Sequence, residues 1–248
     1  LAEYYGIHPL VGRICMAAVA FLSVTLGLTK LTDILGSMGT VIVIFSVIVG
    51  LVSFLTNMDG FTNVNEVLSN IEMTKSSGGW LFSSILYPGF NVIAVLVFSA
   101  GIGSSANNRK EAFYGGMLGG IFFGLAILCM NLGLLSQIGI VYDKEVPSLV
   151  LADQIGHTVG IVFSVILICG IYTTAVPMLW SVTSQFAKEK TKKFVLVALV
   201  LTVIAFVLGM TDFSKLVNTI YPFSGYMGVI LMLLIFYRVI INKQKEKS

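Results

Sequence analysis

The sequence is short of charge. Only 11% of its 248 residues are Asp, Glu, Lys or Arg, against about 25% in soluble domains, while 56% are hydrophobic and the mean hydropathy is +0.95. That balance excludes an ordinary water-soluble domain and expects an all-α membrane protein. The 15 basic and 12 acidic residues leave a net charge of +3, too little for a nucleic-acid-binding surface. Cysteine is scarce too: Cys15, Cys129 and Cys169 lie in apolar runs without C-x-x-C spacing, so neither a disulfide framework nor a metal site is expected. There are two histidines, His8 and His157, and no H-E-x-x-H. No ionisable residue falls at the centre of an apolar run, where it would cost about 2.5–3.5 kcal/mol and mark a proton relay or catalytic group. No enzyme is expected, and no catalytic residue is assigned.

What is present is a series of apolar runs able to cross about 30 Å of hydrocarbon at 1.5 Å per residue. Seven spans are expected, at residues 11–29, 37–56, 79–103, 112–136, 157–186, 193–210 and 216–240, all in one membrane domain covering 1–248. The longer polar connections are 57–78, with Asp59, Glu66 and Glu72, and 139–156, with Asp143, Glu145 and Asp153. Within the second, PSLVLADQIG reads as a short surface helix beginning at Pro147, since proline suits a first helical position.

Positive residues are retained on the cytoplasmic side. One orientation places Lys30, Arg109, Lys110, Lys188, Lys190, Lys192, Lys193, Arg238, Lys243, Lys245 and Lys247 inside, and only Arg13, Lys75, Lys144 and Lys215 of the 15 basic residues outside. The C-terminus is therefore expected in the cytoplasm and the N-terminus outside. An outside N-terminus without a signal peptide, on a chain opening with Leu1, leads to the expectation of an odd number of spans upstream.

With charge absent from the spans, binding chemistry must come from backbone and uncharged polar groups. In SSILYPGFN, residues 83–91, Pro88 deletes a helical hydrogen bond and Gly89 permits unwinding, flanked by Tyr87 and Asn91. A break at this depth frees carbonyls and amides that must meet protein, water or solute, so Tyr87, Pro88, Gly89 and Asn91 are candidate substrate-binding residues. The alternative is a plain proline kink. In GIYTTAVPML, Thr173 and Thr174 are adjacent and Pro177 cannot donate to the Thr173 carbonyl, which makes both threonines candidate oxygen ligands for Na⁺. Threonines bonding back to their own helix are the alternative. Gly116, Gly120 and Gly124 recur every four residues, a stripe expected to pack against a neighbouring helix. Tyr221 to Gly225 (YPFSG) read as an interfacial segment and flexible start to the last span.

GWLFSSILYPGFNVIAVLVFSAG, the glycine-rich helix after it, EVPSLVLADQIG and GIYTTAVPMLWSVTSQF occur in an order that resembles the YkvI-type bacterial membrane proteins, relatives of the amino acid/polyamine/organocation (APC) transporters with the LeuT-like fold. The resemblance implies that the seven spans are helices four to ten of an inverted-repeat fold. It places Tyr87, Pro88, Gly89 and Asn91 at the sixth helix's unwound substrate site and Thr173 and Thr174 at an eighth-helix sodium site. The first three helices of that fold are absent from these residues. The function so implied is secondary transport of a small amino-acid-like or amine-like solute in the bacterial inner membrane by alternating access, with Na⁺ as the candidate coupling ion and no other cofactor. The partners expected are that solute and membrane lipid, with no nucleic acid. The rival reading is a non-transporting sensor or receptor on the same scaffold.

Overall fold

The computed structural model describes residues 8–71, 79–211 and 213–245, with side chains for all of these except Pro9, 213–218, 239–240 and 242–245. Glu72, Lys75 and Lys247 lie outside the described residues, as do the side chains of Lys215, Lys243 and Lys245. The described residues form helices alone: α1 Pro9–Val24, α2 Leu28–Thr56, α3 Met58–Thr62, α4 Val64–Ser69, α5 Gly79–Ser105, α6 Arg109–Ser136, α7 Ile138–Val141, α8 Pro147–Ile155, α9 His157–Phe186, α10 Lys192–Leu208 and α11 Phe213–Lys245.

Among the described residues five segments are long and apolar enough to cross a membrane: α2, α5, α6, α9 and Thr219–Arg238 of α11. The chain is an all-helical, multi-pass membrane protein. The expected spans at 11–29 and 193–210 coincide with α1 and α10, which have 16 and 17 residues. At 1.5 Å per residue these reach about 24 and 26 Å, short of a hydrocarbon core of about 30 Å.

Helix ends follow local chemistry. Asn108 caps α6 by accepting from the Glu111 amide at 2.9 Å, and Glu111 Oε2 accepts from the Asn107 amide at 3.0 Å, a variant of the capping box. Thr191 caps α10 through the Phe194 amide. One boundary differs from expectation. The first connection does not lie at residues 30–36: the chain breaks at Thr25–Gly27, where Gly27 takes φ 85, and α2 runs unbroken from Leu28 through Lys30 and Asp33. Glycine adopts that left-handed backbone without steric cost, whereas Lys30 and Asp33, the polar residues that suggested a loop, are exposed on the first two turns of α2.

The chain divides into two compact units: Leu1–Gly12, Leu26–Thr74 and Ile102–Val176 form the first, and Arg13–Thr25, Lys75–Gly101 and Pro177–Ser248 the second. In the first unit α2 and α6 run in the same direction and converge through their C-terminal halves. A Cβ on Gly50 would lie 2.5 Å from the Cys129 carbonyl carbon and 2.7 Å from the Met130 nitrogen, and one on Gly133 would lie 2.7 Å from the Gly50 carbonyl oxygen. The buried face of α6 there is Ala126, Cys129, Gly133 and Ser136. The Ser136 hydroxyl shares its proton between the Gly133 carbonyl of its own helix at 2.8 Å and, across the contact, the Ser53 carbonyl at 3.2 Å. The expected stripe of Gly116, Gly120 and Gly124 is not what packs: added Cβ atoms at those positions meet nothing within 4 Å.

The connection after α6 folds into the same core. α8 does begin at Pro147, but it is not a surface helix, because Leu149, Leu151 and Ala152 are buried. They cluster with Val49, Val141, Phe163 and Ile166, and Phe45 stacks on Phe163 at 6.1 Å. Gly160 lets α8 fold back on the first turn of α9, since a Cβ there would lie 3.1 Å from the Asp153 Cα.

In the second unit α5 crosses α11 at glycines. A Cβ on Gly89 would lie 2.5 Å from the Gly225 carbonyl oxygen and 2.9 Å from the Val229 nitrogen, and one on Gly225 would lie 2.9 Å from the Leu86 carbonyl oxygen. Gly228 packs on the Gly89 carbonyl. Phe90 stacks on Tyr221 at 4.2 Å and Phe82 meets Tyr226 at 5.6 Å, flanking the crossing. The flexible start expected at Tyr221–Gly225 is therefore absent: α11 is helical through Pro222, and Gly225 is buried in the contact.

Candidate functional site

α5 is an apolar helix of 27 residues with a proline near its middle, and the structure corrects the reading of that proline. The helix is continuous through Pro88 and Gly89. Pro88 still has no N–H for the Ser84 carbonyl, but the backbone does not unwind. Backbone-to-backbone packing at Gly89, Gly225 and Gly228 accounts for this, because it holds both sides of the kink against α11. Gly89 is a packing residue, buried between helices, and offers no open surface to a solute.

The other candidates lie on a different part of α5. Tyr87 is 49% exposed and Pro88 is exposed, whereas Asn91 is half-buried. Asn91 Nδ2 donates to the Tyr87 carbonyl at 2.9 Å, one turn back, so the amide is held in place by its own helix. That bond uses one of the two amide hydrogens and leaves the side-chain oxygen able to accept. Asn91 is thus a pre-oriented polar group midway along an apolar helix, with a phenol one turn away.

On α9, Thr173 is half-buried and Thr174 exposed. Both hydroxyls donate to the Gly170 carbonyl at 3.0 Å, and α9 is continuous through Pro177. A hydroxyl that donates its proton keeps its lone pairs, so the two oxygens remain competent ligands for a hard cation. The Thr173 carbonyl, which Pro177 cannot serve, is a third oxygen on the same stretch. Among the described residues no group of three or more His, Cys, Asp or Glu is placed to hold a metal. Thr173 and Thr174 belong to the first unit and Tyr87 to Asn91 to the second.

Four features escaped the sequence. Gly50 and Gly133 carry the α2–α6 contact; the small residues at 126, 129, 133 and 136 were the available signal. Ser53 Oγ and Ser181 Oγ are buried without a hydrogen-bond partner among the described residues, and nothing local marks them. Trp180, buried at 7% exposure, donates its indole N–H to Glu189 and meets Phe98 edge-on at 5.8 Å. A lone acid in a basic loop was the clue to that bond. The His157 side chain is 75% exposed, with Nδ1 3.2 Å from Asp153 Oδ1.

No family model matches the chain, and no solved structure matches it. It is similar to the uncharacterised protein YyaD of Bacillus subtilis (strain 168), 22% identical over 163 residues, which cover 66% of this chain and 48% of that protein. The chain spans about half the length of that relative. The resemblance to YkvI-type proteins rests on the sequence motifs alone.

Proposed function

We propose that the chain is a secondary transporter of small organic solutes, amino-acid-like or amine-like, working by alternating access in the bacterial inner membrane with its C-terminus in the cytoplasm. In this reading α1 and α10 also span, giving seven helices that correspond to the fourth to tenth of a LeuT-like fold related to the APC superfamily. Tyr87 and Asn91 contact the solute. Thr173 and Thr174 ligate Na⁺ as the coupling ion, and no catalytic step is assigned. The observation that carries the reading is Asn91, a pre-oriented amide midway along an apolar span.

The test is uptake of labelled amino acids and amines into proteoliposomes, compared for the unaltered chain, Asn91→Ala and Tyr87→Phe. Both variants should insert and melt normally, since Asn91 bonds only within its own helix in the described contacts and Tyr87 is exposed. Asn91→Ala should lose most uptake; undiminished uptake in both variants would sink the assignment. Gly89 is unsuited to this test, because any side chain there strikes the α11 backbone.

One observation favours the rival, a ligand-binding sensor. α5 passes its proline without unwinding and is locked to α11 by three glycines, a stiffer arrangement than a moving gate requires. Ligand-dependent thermal stabilisation without flux would select that reading.

A further inference from the structure

Charge is scarce in this chain and is packed most densely between α9 and α10. Between Asp153 and Asp212 the sequence holds a single acid, Glu189, while residues 188–193 read KEKTKK. This segment has a surplus of three positive charges, as large as the net charge of the whole chain. Lys188, Lys190, Lys192 and Lys193 are all exposed, whereas Glu189 is half-buried and turns its carboxylate to the indole of Trp180.

The turn that presents the lysines is built, and at some cost. Lys190 takes φ 61, a left-handed backbone uncommon for a residue with a side chain. The Thr191 hydroxyl donates to the Lys188 carbonyl at 2.7 Å and accepts from the Phe194 amide at 3.1 Å, closing the loop on the start of α10. Lys192 and Lys193 then occupy the first turn of α10, where the helix dipole disfavours cations. Helix stability does not account for their position.

Depth supplies the partner. The loop joins α9, a membrane-spanning candidate, to the apolar α10, so the lysines emerge within about a turn of two apolar helix ends, at the level of lipid headgroups. Lysine stems lie along apolar surface while their ammonium groups reach phosphate. The geometry points to a docking surface for anionic phospholipid headgroups, formed by Lys188, Lys190, Lys192 and Lys193, whose four charges outnumber the one acid among them. Charge complementarity and depth together select a lipid over a soluble acidic partner.

The experiment titrates the purified chain, in neutral detergent, with short-chain phosphatidylglycerol, with phosphatidylcholine of the same length, and with inorganic phosphate. Readouts are the thermal midpoint and Trp180 fluorescence in a Trp80→Phe background, Trp80 being 82% exposed. Phosphatidylglycerol should give a saturable response and phosphatidylcholine none. Half-saturation should rise about fivefold in Lys190→Gln and about 25-fold in the Lys192→Gln/Lys193→Gln pair, and return in the arginine variants. Arg109→Gln/Lys110→Gln, at another loop, should leave it unchanged. Equal response to phosphatidylcholine, no change in the lysine variants, or an equal loss in the Arg109/Lys110 control would overturn the proposal. Full response to inorganic phosphate alone would also overturn it, in favour of a free-anion site.

Discussion

Replacing Gly50 by alanine places a methyl group 2.5 Å from the Cys129 carbonyl carbon and 2.7 Å from the Met130 nitrogen. Both atoms are backbone, in the C-terminal half of α6, and neither can swing aside. Restoring an ordinary contact of about 3.4 Å requires α2 and α6 to part by about 1 Å, a gap that forfeits a quarter to a half of the dispersion well of every atom pair across the crossing. The Ser136–Ser53 bond, 3.2 Å long, would stretch beyond hydrogen-bonding range. Overpacking of this kind costs about 1–3 kcal/mol, against a gain of about 1 kcal/mol from the better helix propensity of alanine. Gly120→Ala has the same propensity gain and no neighbour within 4 Å, so it should be neutral or stabilising by up to about 1 kcal/mol. Equilibrium unfolding in mixed micelles, comparing Gly50→Ala, Gly133→Ala and Gly120→Ala, reads the difference directly. If Gly50→Ala proves as stable as Gly120→Ala, the α2–α6 crossing is not where these glycines place it.

Three further outcomes follow from single contacts. Ser53→Ala removes a buried hydroxyl that has no partner among the described residues, and should leave stability unchanged or raise it by about 1 kcal/mol in chemical unfolding; a clear loss would mean that the hydroxyl is bonded. Glu189→Ala deprives the Trp180 indole of its acceptor at a buried position, so loop 187–191 should become more sensitive to limited proteolysis and Trp180 emission should shift, while Glu189→Gln, which keeps an acceptor, should change both less. Thr173→Ala and Thr174→Ala each leave one hydroxyl on the Gly170 carbonyl, so neither should unfold the chain, yet each should weaken stabilisation by Na⁺ relative to K⁺ if these oxygens ligate it. Equal stabilisation by the two cations in the unaltered chain would remove the ion site.

Helix ends are set by residues whose effect is local. Asn107, Asn108 and Glu111 close the start of α6, Thr191 closes that of α10, and Pro147 begins α8, each by bonds or dihedrals reaching no further than four residues. What covers a helix is not local. PSLVLADQI reads as a helix from its own residues, but only the presence of Val49, Val141, Phe163 and Ile166 around it makes it a buried one. The glycine stripe failed for the same reason. Gly116, Gly120 and Gly124 have the more regular spacing, but which glycines are needed depends on where α6 crosses α2, and that crossing lies at Gly133. Gly27 is the converse case, a residue between apolar neighbours whose φ of 85 ends a helix that hydropathy alone would continue.

Pro88 shows how this distinction bears on function. A proline followed by glycine is compatible with an unwound segment and with a kinked helix, because both lose the same hydrogen bond to Ser84. The choice is made by the partner. α11 presents Gly225 and Gly228 to Gly89, and two backbones can approach this closely only while both remain helical and regular. The glycine that seemed to license unwinding instead prevents it. Solute chemistry on α5 then shifts from freed backbone groups to side chains on its more open face, above all the Asn91 amide held by the Tyr87 carbonyl. A backbone site tolerates any side chain at 91, whereas an amide site does not, so Asn91→Leu, which keeps the number of side-chain heavy atoms and favours the helix but removes the amide, separates the two: uptake or ligand-induced stabilisation that survives Asn91→Leu would return the site to the backbone and undo the amide reading.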